Sequence, residues 1–91
     1  MSCSSTLTVL AYDQPYTLVI EPWADEFTIQ VGNKCKVVAL HPSLTPTFSI
    51  EMAQNRLVAT INEGSSTYEF WRGDVCEFSN PVPIPGAPHF S

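Results

Sequence analysis

Apolar and polar residues alternate along most of this chain, and such alternation is typical of half-buried β-strands. No segment of useful length repeats its apolar residues at the three- and four-residue spacing of an amphipathic helix. Pro, Gly or Asn interrupts the β-branched and aromatic segments at short intervals, as in all-β domains. The pattern predicts strands at Thr6–Ala11, Tyr16–Glu21, Phe27–Val31, Cys35–Leu40, Thr47–Met52, Leu57–Asn62, Thr67–Trp71 and Val75–Phe78.

These strands predict an all-β fold: a single-domain antiparallel β-sandwich or partly open barrel of seven to eight strands, with Greek-key topology. Residues 1–80 form the β-domain. Residues 81–91 are a proline-rich C-terminal tail, since so many prolines exclude a strand in a sheet interior. The predicted core consists of Leu18, Ile20, Phe27, Ile29, Val31, Val37, Phe48, Ile50, Leu57, Ile61, Tyr68 and Phe70.

Register can be predicted for three hairpins. A two-residue loop at Gln54-Asn55 puts the apolar residues of both strands on one face, by pairing Met52 with Leu57, Ile50 with Ala59 and Phe48 with Ile61. A second hairpin, with a three-residue loop at 32–34, pairs Val31 with Cys35, Ile29 with Val37 and Phe27 with Ala39. Cys35 is then a small core hydrophobe, which is common for a free cysteine.

The third hairpin contains the tripeptide Arg72-Gly73-Asp74. Gly73-Asp74 alone suits a type II′ turn, which has Gly first. A three-residue loop separates apolar from acidic residues better. One face of the hairpin then carries Tyr68, Phe70, Cys76 and Phe78, and the other carries Glu69, Trp71, Val75 and Glu77. We favour the three-residue loop. An adhesion ligand is the functional interpretation of the tripeptide, but Gly and Asp are ordinary turn residues, and the sequence favours a plain turn.

Charge and cysteine content restrict the function. The net charge is −5, and only four residues are Lys or Arg, which is unsuited to nucleic acid or to an anionic membrane surface. The amino terminus has no secretory pattern, and three widely spaced cysteines suit neither a disulfide framework nor a zinc site. We expect a cytoplasmic protein. Charged residues make up 14% of the chain against the usual ~25%, so either Ser, Thr, Asn and Gln form much of the surface or a partner covers it.

Catalysis has little support. Glu69 and Glu77 could form a close carboxylate pair on neighbouring strands, but a flat sheet face provides no cleft for a substrate. The chain has four glycines and lacks both a nucleophile elbow and a phosphate-binding loop. We expect no enzyme activity and no cofactor.

The segment EPWADE surrounds Trp23 with acids after a strand-breaking proline. It could be an aromatic platform for a cationic or sugar-like ligand. Alternatively, Trp23 plugs the end of the sandwich, and we favour this interpretation because buried aromatic residues supply much of the core energy in a small domain.

Two segments, DEFTIQVGNKCKVVAL and GSSTYEFWRGDVCEF, resemble cupredoxins: a strand, Gly-turn, strand unit and a later hairpin that leads into a cysteine. The resemblance implies a cupredoxin-like sandwich and a soft metal such as copper, for which His41, Cys76 and His89 are the available ligands. The chain departs from that family after Cys76, where no His or Met follows within a few residues.

The sequence therefore favours a non-catalytic binding and assembly module that associates with a protein partner or with itself, and that binds no nucleic acid and no membrane. The residues predicted to interact are Trp23, Trp71, Pro81, Pro83 and Pro85. The alternative is a copper-type metal protein that uses His41, Cys76 and His89.

Overall fold

The computed structural model describes residues 2–85, and within them the regular structure is entirely β. The strands are β1 (Cys3–Leu10), β2 (Tyr16–Glu21), β3 (Asp25–Ile29), β4 (Lys34–His41), β5 (Phe48–Ala53), β6 (Arg56–Ile61), β7 (Thr67–Arg72) and β8 (Val75–Asn80). All eight predicted strands are confirmed. Residues 2–85 contain no helix of the length and apolarity needed to cross a membrane.

The strands form two four-stranded sheets, which are not closed into a barrel. The first sheet has the order β1-β4-β7-β8 and the second has the order β3-β2-β6-β5. Neighbouring strands are antiparallel except β2 and β6, which are parallel. The all-β sandwich is therefore confirmed, and the sheet edges are β1 and β8 in the first sheet and β3 and β5 in the second.

The core lies between the sheets and is rich in aromatic residues. Phe27 of β3 stacks on Phe70 of β7, with ring centroids 4.1 Å apart, and this contact joins the two sheets. Most of the predicted core is buried, and Cys35 is buried as expected. Burial raises the pKa of the Cys35 thiol. Two predicted core residues are exposed instead: Val31 at 48% and Ile50 at 45%.

The predicted hairpin of β3 with β4 is wrong. Phe27 pairs with Leu18 of β2, and Val37 of β4 pairs with Leu7 of β1 and Phe70 of β7. The loop after β3 instead carries the chain from the second sheet to the first, with Gly32 at a φ of 87°. Alternation predicts which residues of a strand face the core, but it does not predict the sheet to which the strand belongs.

The hairpin of β5 with β6 has the predicted register. Phe48 lies opposite Ile61, Ile50 opposite Ala59, and Met52 opposite Leu57. Asn55 in the two-residue loop has a φ of 59°, a conformation that Asn tolerates better than most residues.

The hairpin of β7 with β8 combines the two alternatives that the sequence left in conflict. Arg72 pairs with Val75, so the turn is Gly73-Asp74, with Gly73 at a φ of 60° as a type II′ turn requires. The predicted three-residue loop is wrong. A bulge in β8 then shifts the register so that Phe70 faces Phe78. The inserted residue keeps Phe78 on the core side, while Cys76, opposite Trp71, lies on the outer face and not with Phe70 as predicted.

Candidate functional site

The Arg-Gly-Asp tripeptide is a structural turn. The Arg72 guanidinium donates to the Glu77 carboxylate (Nε to Oε2, 2.7 Å) and to the Thr28 carbonyl of the second sheet (Nη1 to O, 3.1 Å). Its side chain is thereby engaged in joining β7, β8 and β3. Asp74 is exposed beside Gly73 at the turn. Arg72 points toward the body of the domain, so the tripeptide is not displayed as an extended ligand.

Trp23 closes one end of the sandwich. Its ring packs against Tyr68, with centroids 4.8 Å apart, and its indole N–H donates to the Val82 carbonyl at 2.7 Å. The half-buried ring lies between the core and the C-terminal segment. This geometry favours the plug over the open aromatic platform.

A polar network lies beside Trp23. The Tyr68 hydroxyl donates to Asp25 Oδ2 at 2.5 Å, and the Asn80 amide donates to the same oxygen at 2.9 Å. Asn80 Oδ1 accepts the Val82 backbone N–H at 3.0 Å. Burial, followed by the bond to Asp25, raises the pKa of the Tyr68 phenol well above its ordinary value. The network joins β3, β7, β8 and the start of the tail.

The described part of the tail, residues 81–85, lies against the domain. The Ile84 N–H donates to the Ser66 carbonyl at 2.8 Å, and the Ser65 N–H donates to the Ile84 carbonyl at 2.7 Å. The Ile84 side chain packs against the core. The prolines alternate with these anchoring residues and are exposed: Pro81, Pro83 and Pro85. This segment therefore covers the loop before β7.

His41 organises a loop at the end of β4. Its Nδ1 accepts the N–H groups of Ser43 (3.0 Å) and Leu44 (2.7 Å), so the ring proton is on Nε2, which donates to the Gly64 carbonyl at 2.9 Å. Both ring nitrogens of this buried imidazole therefore have protein partners. His41 is a structural residue in this geometry.

The three proposed metal ligands do not come together where the structure describes them. His41 is buried at one end of the first sheet, opposite Cys3. Cys76 lies opposite Trp71 toward the other end of that sheet, on its exposed outer face. His89 lies outside the described residues. Within residues 2–85, no group of three or more His, Cys, Asp or Glu residues is arranged to hold a metal ion.

Glu69 and Glu77 do not form the carboxylate pair that the predicted register allowed. Glu69 faces Ser79 across the β7–β8 ladder, and Glu77 is bonded to Arg72. Trp71 shares the outer face with Glu69, and the Trp71 indole N–H donates to Glu69 Oε1 at 3.0 Å. The Lys36 amine lies 5.0 Å from the centroid of the Trp71 ring. These contacts hold the Trp71 ring against the sheet, where it is half-buried.

Strand β5 has a different environment from every site that the sequence singled out. Its core-facing residues are Phe48, Ile50 and Met52, and the exposed fraction of these side chains increases along the strand. Phe48 is half-buried against the core, Ile50 is 45% exposed and Met52 is 73% exposed. The same face of the neighbouring β6 is buried. The second sheet therefore extends past the covering sheet and presents an apolar strip at its edge.

The backbone of β5 is bonded on one side. The Asn62 N–H donates to the Thr47 carbonyl at 3.1 Å, which marks these two residues as a hydrogen-bonded pair. Hydrogen-bonded pairs alternate along an antiparallel ladder, so every second residue of β5 directs its N–H and C=O groups to β6. Those residues are Ser49, Glu51 and Ala53.

The remaining residues of β5 direct their backbone groups outward. By the same alternation, the N–H and C=O groups of Phe48, Ile50 and Met52 point to the open side of the strand. Among residues 2–85, β5 pairs only with β6. The strand thus combines an apolar strip with a row of backbone groups available to another strand.

Two of the other edge strands are blocked against pairing. β8 carries the bulge beside Glu77 and is followed by Pro81, and both features disfavour an added strand. β3 carries acidic residues, including Glu26, and its Thr28 carbonyl already accepts Arg72. Charges and occupied backbone groups are devices that protect sheet edges.

β1 is the fourth edge, and its first half is bordered by the loop before β5. The Ser5 hydroxyl donates to the Pro46 carbonyl at 2.6 Å, and the Cys3 thiol to the Ser43 carbonyl at 3.5 Å. Its core-facing Leu7 and Val9 are covered. β5 therefore combines an unblocked edge with two exposed apolar side chains, Ile50 and Met52, and its one formal charge is Glu51.

The fold is a small β-sandwich with an exposed apolar strip on its edge strand β5. Models of protein families, curated proteins and solved structures give no match to this chain.

Sequence reasoning placed Ile50 in the core and so missed this strip. The only signal was the outer face of the β5–β6 hairpin, where Glu51 is the one charge beside the uncharged Ser49, Val58 and Thr60. A hairpin that carries one charge on its outer face and apolar residues on the other is suited to pairing with another strand.

Proposed function

We propose that this protein is a non-catalytic, cytoplasmic binding and assembly module that binds an extended polypeptide segment along β5. Addition of a strand to an open sheet edge is a common mode of recognition, in which backbone hydrogen bonds supply affinity and alternate side chains supply specificity. The bound segment would extend the second sheet by one strand.

The observation that carries the proposal is the exposure of Ile50 and Met52 on the core-facing side of an edge strand. A strand that pairs there would place its own apolar residues beside them and over the uncovered end of the core. Burial of such side chains stabilises association by ~25 cal/mol per Å² of apolar surface. The outward backbone groups of three alternate residues provide hydrogen bonds for the added strand.

The chain's composition agrees with this proposal. Only four residues are Lys or Arg and the net charge is −5, which suits a protein partner better than nucleic acid or an anionic membrane. The tail residues Pro81–Pro85 lie against the loop before β7, so this segment does not occupy the β5 edge.

Selection from random nine-residue peptides displayed on phage would test the proposal against the intact chain. We expect enriched peptides with alternating apolar residues, whose binding is lost in Ile50→Lys and retained in Thr6→Lys. Thr6 is the matched control because it is an exposed residue of another edge strand, β1. If no peptides are enriched, or if those enriched bind Ile50→Lys as well as the parent, the proposal is wrong.

A further inference from the structure

We infer that the segment bound along β5 is β5 of a second copy, in a twofold antiparallel arrangement with Ile50 opposite its own counterpart. This inference rests on the proposed function and names the partner of the same edge. It joins the two second sheets into one continuous sheet of eight strands, four from each chain.

The direction of the backbone groups restricts the possible registers. Within β5, the residues with N–H and C=O groups on the open side are Phe48, Ile50 and Met52, and in an antiparallel pair these must oppose residues of the partner whose backbone groups also point to the open side. A shift by one residue would place these groups against residues that are already bonded to β6. It would also put apolar residues opposite residues of the outer face.

Three twofold registers oppose at least two of these residues to one another, and they differ in the residue on the axis. With Glu51 on the axis, the two Glu51 carboxylates face each other directly, an unfavourable cross-strand pair. With Ser49 on the axis, Met52 faces Pro46, which has no N–H to donate. The register with Ile50 on the axis has neither defect.

In that register, Phe48 of each chain lies opposite Met52 of the other, and the two Ile50 residues are opposite each other. Each opposed pair exchanges two backbone hydrogen bonds. The apolar strips of both chains become one row on the core-facing side of the joined sheet. On the outer face, Ser49 lies opposite Glu51 of the second copy, so each carboxylate meets a hydroxyl group.

Disulfide formation between different variants tests this register directly. Ser49 and Glu51 of opposite chains would form a pair without backbone bonds to each other, with Cα atoms about 4.5 Å apart, which is within disulfide range. The test uses Ser49→Cys and Glu51→Cys, each in a background of Cys3→Ser and Cys76→Ser, because Cys3 and Cys76 are the accessible free thiols. The variants are oxidised separately and as a mixture.

We expect the mixture to shift to a covalent species of twice the 10.1 kDa chain mass, whereas neither variant alone does so. A mixture of Glu51→Cys with Ser4→Cys on β1 is the control and should stay reduced. A disulfide in Glu51→Cys alone, or in Ser49→Cys alone, would overturn the Ile50 register in favour of another axis.

Sedimentation of the parent chain separates failure of this inference from failure of the proposed function. We expect a dimer that becomes a monomer in Ile50→Lys and stays a dimer in Thr6→Lys. A chain that is monomeric at all concentrations overturns the second-copy inference. In that case the peptide selection still decides whether β5 binds a different protein.

Discussion

The Arg72 guanidinium is bonded to the Glu77 carboxylate at 2.7 Å, so the turn at the end of β7 is linked to the bulge in β8. The same side chain reaches the Thr28 carbonyl on the other sheet. One residue of a familiar adhesion tripeptide therefore connects three strands. This arrangement makes the tripeptide a stabilising element of the domain.

Replacement of Arg72 by Ala should lower the free energy of unfolding by about 1–2 kcal/mol, since it removes a partly exposed ion pair and a bond to a carbonyl. Replacement of the exposed Asp74 by Ala should change it by less than about 0.5 kcal/mol. Urea denaturation of both variants provides the comparison. Equal effects of the two substitutions would contradict the structural role of Arg72.

His41→Ala should cost about 2–3 kcal/mol of stability, because it leaves the N–H groups of Ser43 and Leu44 and the Gly64 carbonyl without their partner. His41→Asn should cost less, since an amide oxygen can accept from the following N–H groups. Urea denaturation with and without Cu²⁺ measures the stability of the parent and of both variants, and any stabilisation by copper. A parent chain that gains stability from copper, with the gain lost in His41→Ala, would support a metal ligand instead.

Trp23→Phe should release the tail without disrupting the core, since the ring contact with Tyr68 persists and the bond to the Val82 carbonyl is lost. We expect faster hydrogen exchange at the Ile84 N–H, which is bonded to Ser66. The overall stability should fall by about 1 kcal/mol or less. Trp71→Phe is the matched control: its indole is bonded to Glu69, and Ile84 should exchange at the parent rate. Equal acceleration in both variants would show that Trp23 does not anchor the tail.

The Glu63 carboxylate should make the stability of the folded chain depend on pH. Bonds from the side chain and backbone N–H of Thr47 hold the pKa of its carboxyl below the usual value. A pKa that is lower in the folded chain gives stability that is present at neutral pH and lost as pH falls through that folded pKa. The stability difference between the parent and Thr47→Val should therefore narrow between about pH 5 and pH 3.

Ser49→Ala provides the control for this prediction. Its hydroxyl is bonded to the uncharged Asn62 side chain, so its effect on stability should be the same at both ends of the pH range. Urea denaturation at several pH values measures both differences. A Thr47→Val difference that stays constant with pH would contradict the role of the Glu63 carboxylate.

Local pattern predicted the strands and one register well. The β5–β6 pairing followed from apolar alternation around Gln54-Asn55, because both strands and their turn are adjacent in sequence. The β3–β4 pairing failed although its alternation was equally regular. Its two strands belong to different sheets: β3 pairs with the preceding β2, whereas β4 pairs with the distant strands β1 and β7. In the β7–β8 hairpin, the preferred turn type and the apolar pattern of the strands predict different loop lengths. The bulge in β8 satisfies both, and the sequence does not predict it.

The candidate site was the least predictable part. Ile50 and Val37 alternate with polar residues in the same way, yet Val37 is fully buried and Ile50 is 45% exposed. The difference is that β4 has a neighbour on both sides, whereas β5 is the last strand of its sheet. Strand order is a property of the whole fold, so no local pattern distinguishes an edge residue from a core residue.

Hydrogen exchange at the β5 amides tests most directly whether β5 pairs with β5 of a second copy. In the dilute chain, the N–H groups of Ser49 and Glu51 should be protected by β6, and those of Phe48, Ile50 and Met52 should exchange freely. At high concentration, where β5 pairs with its copy, the latter three should become protected while Ser49 and Glu51 change little. An assembled chain in which the Ile50 N–H still exchanges as fast as in the dilute monomer would contradict the account.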